Sequence, residues 1–192
     1  LYRNNSESFD DKNKEIAEKI IASSSRMQSM IQDVLTLSTI SINAEFSEVD
    51  INEAAAIALE NLEMRIAERN AVIKLSELPN VKGNKEYLAQ LFMNLISNSI
   101  KFSKKNPFIS VTGVTKEDKV FIYVKDNGIG MSEEYLDKIF LAFQRLHSRA
   151  EYEGSGIGLA ICKRIVDIHN GKISVESKID EGTIFIIELP KA

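Results

Sequence analysis

Tryptophan is missing altogether, cysteine occurs once, histidine twice and proline three times in 192 residues. The lone Cys162 excludes an internal disulfide, and with only two histidines it excludes a zinc-finger-type site. Long apolar runs are absent too. None exceeds six residues, those at 120–124 and 184–187 being five and four, against the roughly 20 that span a bilayer, so no membrane segment is expected. A positive excess is also lacking. Lys and Arg number 24 against 28 Asp and Glu, a net charge of −4, which argues against a broad nucleic-acid surface. No signal peptide is visible and the first residue is Leu1, so the chain reads as a fragment of a longer, soluble, cytoplasmic protein. What is present, 44% apolar and 27% charged residues, is the balance of a folded globular chain.

Residues 10–41 contain neither Gly nor Pro. Ile16, Ile20, Ser23, Met27, Met30, Val34 and Leu37 alternate at spacings of four and three, a heptad seam interrupted once by Ser23. Asp10 is its expected N-cap. A second row, Ile21, Ile31 and Leu35, widens the apolar face beyond a two-stranded seam, so a helical bundle is expected, completed by a preceding helix, another copy of the chain, or both, with a dimer through residues 10–41 as the expected outcome. The chain then divides into 1–44 and 45–192. Residues 42–49 read as a linker, and Asp50 with Glu53 reads as the capping box of a helix over 50–69. A strand over 71–75 follows, then a loop with Pro79 and Gly83, and a helix over 84–103 capped by Asn84. Strands over 108–114 and 119–126, a short helix over 133–140 and a helix over 156–169 closed by Gly171 come next. A hairpin of 172–177 and 183–189 ends the pattern. Hairpin connections and late strands predict an α+β fold, a two-layer sandwich rather than a doubly wound sheet.

Three segments carry candidate chemistry. On the helix over 84–103, Asn94, Asn98 and Lys101 lie within about 60° of one another, roughly 110° from the apolar arc of Leu88, Leu91, Phe92 and Leu95. Taken singly they read as a solvated face. Taken together, beside glycine-rich turns, carboxamide oxygens suit magnesium and a lysine one turn on suits the phosphates it bridges. Next, Asp126-Asn127-Gly128-Ile129-Gly130-Met131 follows an apolar strand and places an acceptor-only carboxylate in a turn that a flat ligand can approach. Third, Gly154-Ser155-Gly156-Ile157-Gly158-Leu159 precedes a helix, where free N–H groups and the helix dipole favour an anion. Neither a dinucleotide fingerprint nor a Walker A loop fits it. The long polar stretch between the glycine segments, 144–155, reads as a mobile lid carrying Arg145 and His147. His147 reads as a surface or substrate contact, His169 as a cation suited to the last turn of its helix, and Cys162 as a small core residue.

The order of these segments resembles sensor histidine kinases, most closely their phytochrome-like branch. Residues 94–102 resemble the N box, 126–130 and 154–159 the two glycine boxes, 139–143 the F box, and Gly182-Thr183-Ile184-Phe185 a final glycine box in which Asp180 replaces a usual glycine. The resemblance covers 45–192 and implies the ATP-binding sandwich shared with gyrase, mismatch-repair and chaperone ATPases. Residues 10–41 resemble the second helix of the dimerisation and phosphotransfer hairpin. By resemblance, Asn98 holds Mg2+, Asn94 assists, Lys101 neutralises phosphate charge, Phe102 packs near the nucleotide, Asp126 reads the adenine amine with support from Thr183, and Arg145 reaches the γ-phosphate. Gly128, Gly130, Met131, Phe143, Gly154, Gly156, Ile157, Gly158 and Leu159 complete the implied ATP site.

Hydrolysing relatives carry a Glu four residues before the metal-binding Asn. Here that position is Asn94, which cannot take a proton at neutral pH, so transfer to a protein nucleophile is favoured over hydrolysis. The implied partners are a second copy of the chain, an upstream sensor domain and a response regulator receiver domain. The implied acceptor is a histidine followed by an acid. Neither His147 nor His169 has that neighbour, which puts the acceptor upstream of Leu1. Two alternatives stand beside this reading: an anti-sigma-type serine kinase, and a non-catalytic dimerisation module.

Overall fold

The computed structural model describes residues 10–40, 44–144 and 154–192. It opens with helix α1, Asp11–Thr39, capped by Asp10, whose Oδ1 accepts from Asn13 N at 2.7 Å. The helix stops short of Ser41 because Ile40 turns to extended backbone and is buried, with its carbonyl accepting from Arg164 Nη2 at 3.4 Å. Upstream of that anchor, Ile16, Ile20, Met27 and Val34 of the seam and Ile21, Ile31 and Leu35 of the second row are all exposed in the single chain.

The expected linker contains a strand. β1, Ser47–Val49, pairs antiparallel with β3, Val81–Gly83, which lies where a loop was expected. Between them the expected single helix is two, α2 (Ile51–Asn61) and α3 (Glu63–Glu68), broken at Leu62, whose N–H bonds Leu59 O. Asp50 does cap α2, accepting from Asn52 N at 2.8 Å, but Glu53 departs from the capping box and pairs with Lys85 at 2.6 Å. β2 is Val72–Leu75, and α4, capped by Asn84, runs over Lys85–Lys101. β4 (Phe108–Lys116) and β5 (Lys119–Asp126) form a hairpin, and the short helix shrinks to one 3₁₀ turn at Glu133–Tyr135. α5 (Gly158–Ile168), β6 (Lys172–Lys178) and β7 (Gly182–Pro190) follow.

These strands form one sheet in the order β2-β4-β5-β7-β6, with β2 parallel to β4 and every other pair antiparallel. Period-two alternation buries Val120, Ile122 and Val124 of β5 and Phe185, Ile187 and Leu189 of β7. They share a core with Leu88, Leu91, Phe92 and Leu95 of α4 and Ile161 and Ile165 of α5. The α+β sandwich thus has its helices against the inward face of the sheet.

The end of α5 differs from expectation in two ways. Asn170, at φ 53°, takes the left-handed position assigned to Gly171. Gly171 answers a different demand, since a Cβ there would lie 2.3 Å from Glu188 O. His169 is no exposed cation. It is only 2% exposed, its Nδ1–H donates to Ile165 O at 2.7 Å, and its Nε2 accepts from Asn84 N at 3.0 Å. Phe46 stands edge-on to the ring at 4.7 Å. The imidazole is therefore neutral and ties α5 to the start of α4.

Burial lowers the His169 pKa. Above about pH 6.5 both folded and unfolded chains keep the ring neutral, and below it the unfolded chain protonates first, so stability falls as the solution is acidified. The expected slope from this residue is at most about 1.4 kcal/mol per pH unit, ending once the folded ring titrates as well. Urea unfolding at pH 7.5, 6.5 and 5.5 checks it against His169→Gln, in which this component of the slope disappears. Equal slopes in both chains would exclude His169 as the source.

Candidate functional site

α4 forms because Asn84 Oδ1 accepts from Tyr87 N at 3.0 Å, good helix formers follow, and its apolar arc has a sheet to cover. The same registry turns Asn94, Asn98 and Lys101 into an open cleft of about 1710 Å³. The carboxamide of Asn94 accepts from Gln90 Nε2 at 3.2 Å and donates to Gly158 O at 3.3 Å, which ties α4 to the first turn of α5. Lys101 Nζ lies 4.3 Å from the centroid of the Phe102 ring. A Cβ on Gly154 would come within 2.9 Å of that ammonium, so the lysine lies against the second glycine segment.

Asp126 closes the far side. It ends β5, is 7% exposed, and lines the cleft together with Phe102, Gly128, Gly130, Met131 and Thr183. Its Oδ1 accepts from Gly128 N at 2.8 Å and Thr183 N at 3.1 Å, and its Oδ2 accepts from Ser99 Oγ at 2.9 Å. Burial pushes the carboxyl up from the ordinary aspartate range, while those three donors pull it back. Met131 N is held by Ser177 Oγ at 3.0 Å, whose hydroxyl also meets Thr183 Oγ1 at 2.9 Å.

Close backbone approach explains the glycines here. Gly130 sits at φ 64°, where a Cβ would lie 1.9 Å from Lys178 O, and Gly182, at φ 94°, would put one 2.1 Å from Asp126 O. Asp180, standing where a glycine was expected, adopts φ 63° and still donates its N–H to Ile129 O at 2.8 Å. The substitution therefore keeps the turn.

The second glycine segment leads into α5. Gly154, Gly156, Gly158 and Leu159 line the cleft, whereas the Ile157 side chain is fully buried in the core and its N–H donates to Ser155 Oγ at 3.2 Å. Phe143 departs further. It is 65% exposed, lies outside the cleft lining, and its N–H bonds Gly156 O at 2.9 Å. Arg145, His147 and most of the expected lid lie outside the described residues. Cys162 is buried with its thiol pushed up to about 12, a core residue as expected.

Three features escaped the sequence reading. Ser99 is 2% exposed and bonded to Asp126, and its only sequence signal is a small polar residue between Asn98 and an apolar neighbour. Arg65 of α3 and Arg69, which follows it as the C-cap, line the cleft, donating to Ser97 Oγ at 2.6 Å and Ser103 O at 2.9 Å. α1 contributes a wall, with Ser155 Oγ donating to Asp33 Oδ2 at 2.5 Å. Among the described residues no His, Cys, Asp and Glu cluster could hold a metal by itself. Neutral carboxamide oxygens, chiefly from Asn98, fit an ion such as Mg2+ whose remaining ligands are phosphate and water. No helix among the described residues is long and apolar enough to cross a membrane.

Comparison with known proteins gives consistent results. Residues 83–192 match the family model for histidine kinase-, DNA gyrase B-, and HSP90-like ATPases. The phytochrome-like protein Cph1 of Synechocystis sp. is 40% identical over 187 residues, 96% of this chain and 25% of that protein. The solved catalytic domain of histidine kinase ThkA superposes at a TM-score of 0.67 with 31% identity, covering 77% of this chain and 97% of that one. Histidine kinase ThkA solved in complex with the response regulator protein TrrA gives 0.73 with 26% identity, over 99% of this chain and 55% of that one. The chain spans about a quarter of the length of the first curated relatives it matches.

Proposed function

The chain belongs to the histidine kinase-, DNA gyrase B-, and HSP90-like ATPase family, and from that premise we propose that its cleft passes the γ-phosphoryl group of ATP to a histidine outside these 192 residues, for relay to the aspartate of a response regulator. The adenine lies against Asp126 and the triphosphate runs toward Asn98, Lys101 and the start of α5. Asn98 holds Mg2+, with Asn94 beside it. An ion held there by Asn98 would offset the negative charge of the phosphates. Lys101 and the N–H groups at the head of α5 neutralise the charge that spreads over the transferred group. Arg145 is the proposed contact to the γ-phosphate. The whole protein acts as a cytoplasmic homodimer through residues 10–41, coupled to a sensor domain.

The observation that carries transfer over hydrolysis is Asn94. Its carboxamide is already engaged by Gln90 and Gly158, and it cannot accept a proton from water at neutral pH. The buried, neutral His169 is bonded at both ring nitrogens, so it is not available as the nucleophile. Incubating the chain with γ-labelled ATP and magnesium should leave it unlabelled. Adding a hairpin helix that bears an acceptor histidine followed by an acid should give acid-labile label on that helix. Acid-labile label on His147 or His169 would overturn the missing acceptor, and fast phosphate release without transfer would overturn the kinase reading.

A further inference from the structure

We propose that Ser99 is a positioning residue for base recognition, holding the Asp126 carboxylate so that one acceptor site stays open to the exocyclic amine of adenine. The inference rests on the reading of Asp126 given above and adds a residue to it. An ionised carboxylate offers about four acceptor sites, two on each oxygen. Oδ1 spends both on the N–H groups of Gly128 and Thr183, and Oδ2 spends one on Ser99 Oγ. One site on Oδ2 remains for a single further donor.

That remaining site meets the chemistry of one base. Adenine offers an amine where guanine offers a carbonyl, and a carbonyl against a carboxylate sets acceptor against acceptor. Ser99 matters because rotation about the last side-chain bond of an aspartate is otherwise soft. The two backbone donors hold one oxygen, and the hydroxyl holds the other. Ser99 is itself fixed, since Ser103 Oγ donates to its carbonyl at 2.8 Å and both serines are buried. Ser99 and Asp126 both line the cleft, so this network ends at the ligand.

The test compares binding of ATP and of purine riboside triphosphate, which lacks the amine, by titration calorimetry with magnesium. In the native chain ATP should bind more tightly. Ser99→Ala favours helix, so the fold is retained, and it should shrink the preference for ATP about tenfold with little change for the amine-free analogue. Ser99→Thr, which keeps the hydroxyl, should restore it. A Ser99→Ala chain with the native preference, or with both nucleotides weakened equally, would overturn the positioning role while leaving Asp126 in place. A native chain that does not distinguish the two nucleotides would overturn the reading of Asp126 itself, and this inference with it.

Discussion

Asp126→Asn is expected to cost about 10- to 150-fold in ATP affinity, ~1.5–3 kcal/mol, the range for a hydrogen bond to a charged group. The geometry dictates how. The amide oxygen must face Gly128 N and Thr183 N, which Oδ1 now serves at 2.8 and 3.1 Å, because turning the amide nitrogen toward them would oppose donor to donor. That leaves the amide nitrogen where Oδ2 now accepts from Ser99 Oγ at 2.9 Å. A donor then confronts both the serine hydroxyl and the adenine amine. The serine can rotate to accept, whereas the adenine amine cannot. Thermal unfolding of the nucleotide-free variant should stay close to native while calorimetry records the lost affinity. An unchanged affinity would remove Asp126 from the base site.

Gly130→Ala is expected to act on the fold instead. The position combines φ 64° with a Cβ that would fall 1.9 Å from Lys178 O, a backbone atom of the β6–β7 hairpin. A flexible side chain could move aside, but this carbonyl lies at the turn that carries Asp180 and Gly182. The left-handed backbone costs about 1–2 kcal/mol, and displacing packed backbone brings the total to ~3–5 kcal/mol. For a chain of this size the melting temperature should drop by roughly 10 °C. A melting temperature within a degree of native would show that the hairpin yields without cost.

Much of the site is legible in sequence because it rests on local rules. The Asn84 cap sets the register of α4, and that register alone puts Asn94, Asn98 and Lys101 on the stripe beside the core arc. Alternating glycines mark turns of close approach, and Gly130 and Gly182 make such approaches. The misses have physical reasons. β1 and β3 are three residues each, too short for alternation to register, and they exist through pairing across 34 residues of chain. Nothing in the residues around Leu62 is a helix breaker, so the break reflects tertiary packing. Asn170 displaced Gly171 because the two are neighbours and both tolerate the left-handed region. His169 looked like a dipole-stabilised cation until its ring proved to be shared between Ile165 and Asn84.

The strand order carries a consequence for synthesis. β6 pairs with β7 alone among the described strands, yet β7 lies between β5 and β6. On a ribosome, β6 emerges before any partner it can zip to, and β5 waits with one edge open. Thr183 N–H, on β7, is also one of the donors that hold Asp126. The surroundings of Asp126 are therefore completed only when β7 inserts between β5 and β6. Until β7 inserts, Asp126 lacks its Thr183 donor and the edges of β5 and β6 that β7 covers stay open, an aggregation-prone stage of folding.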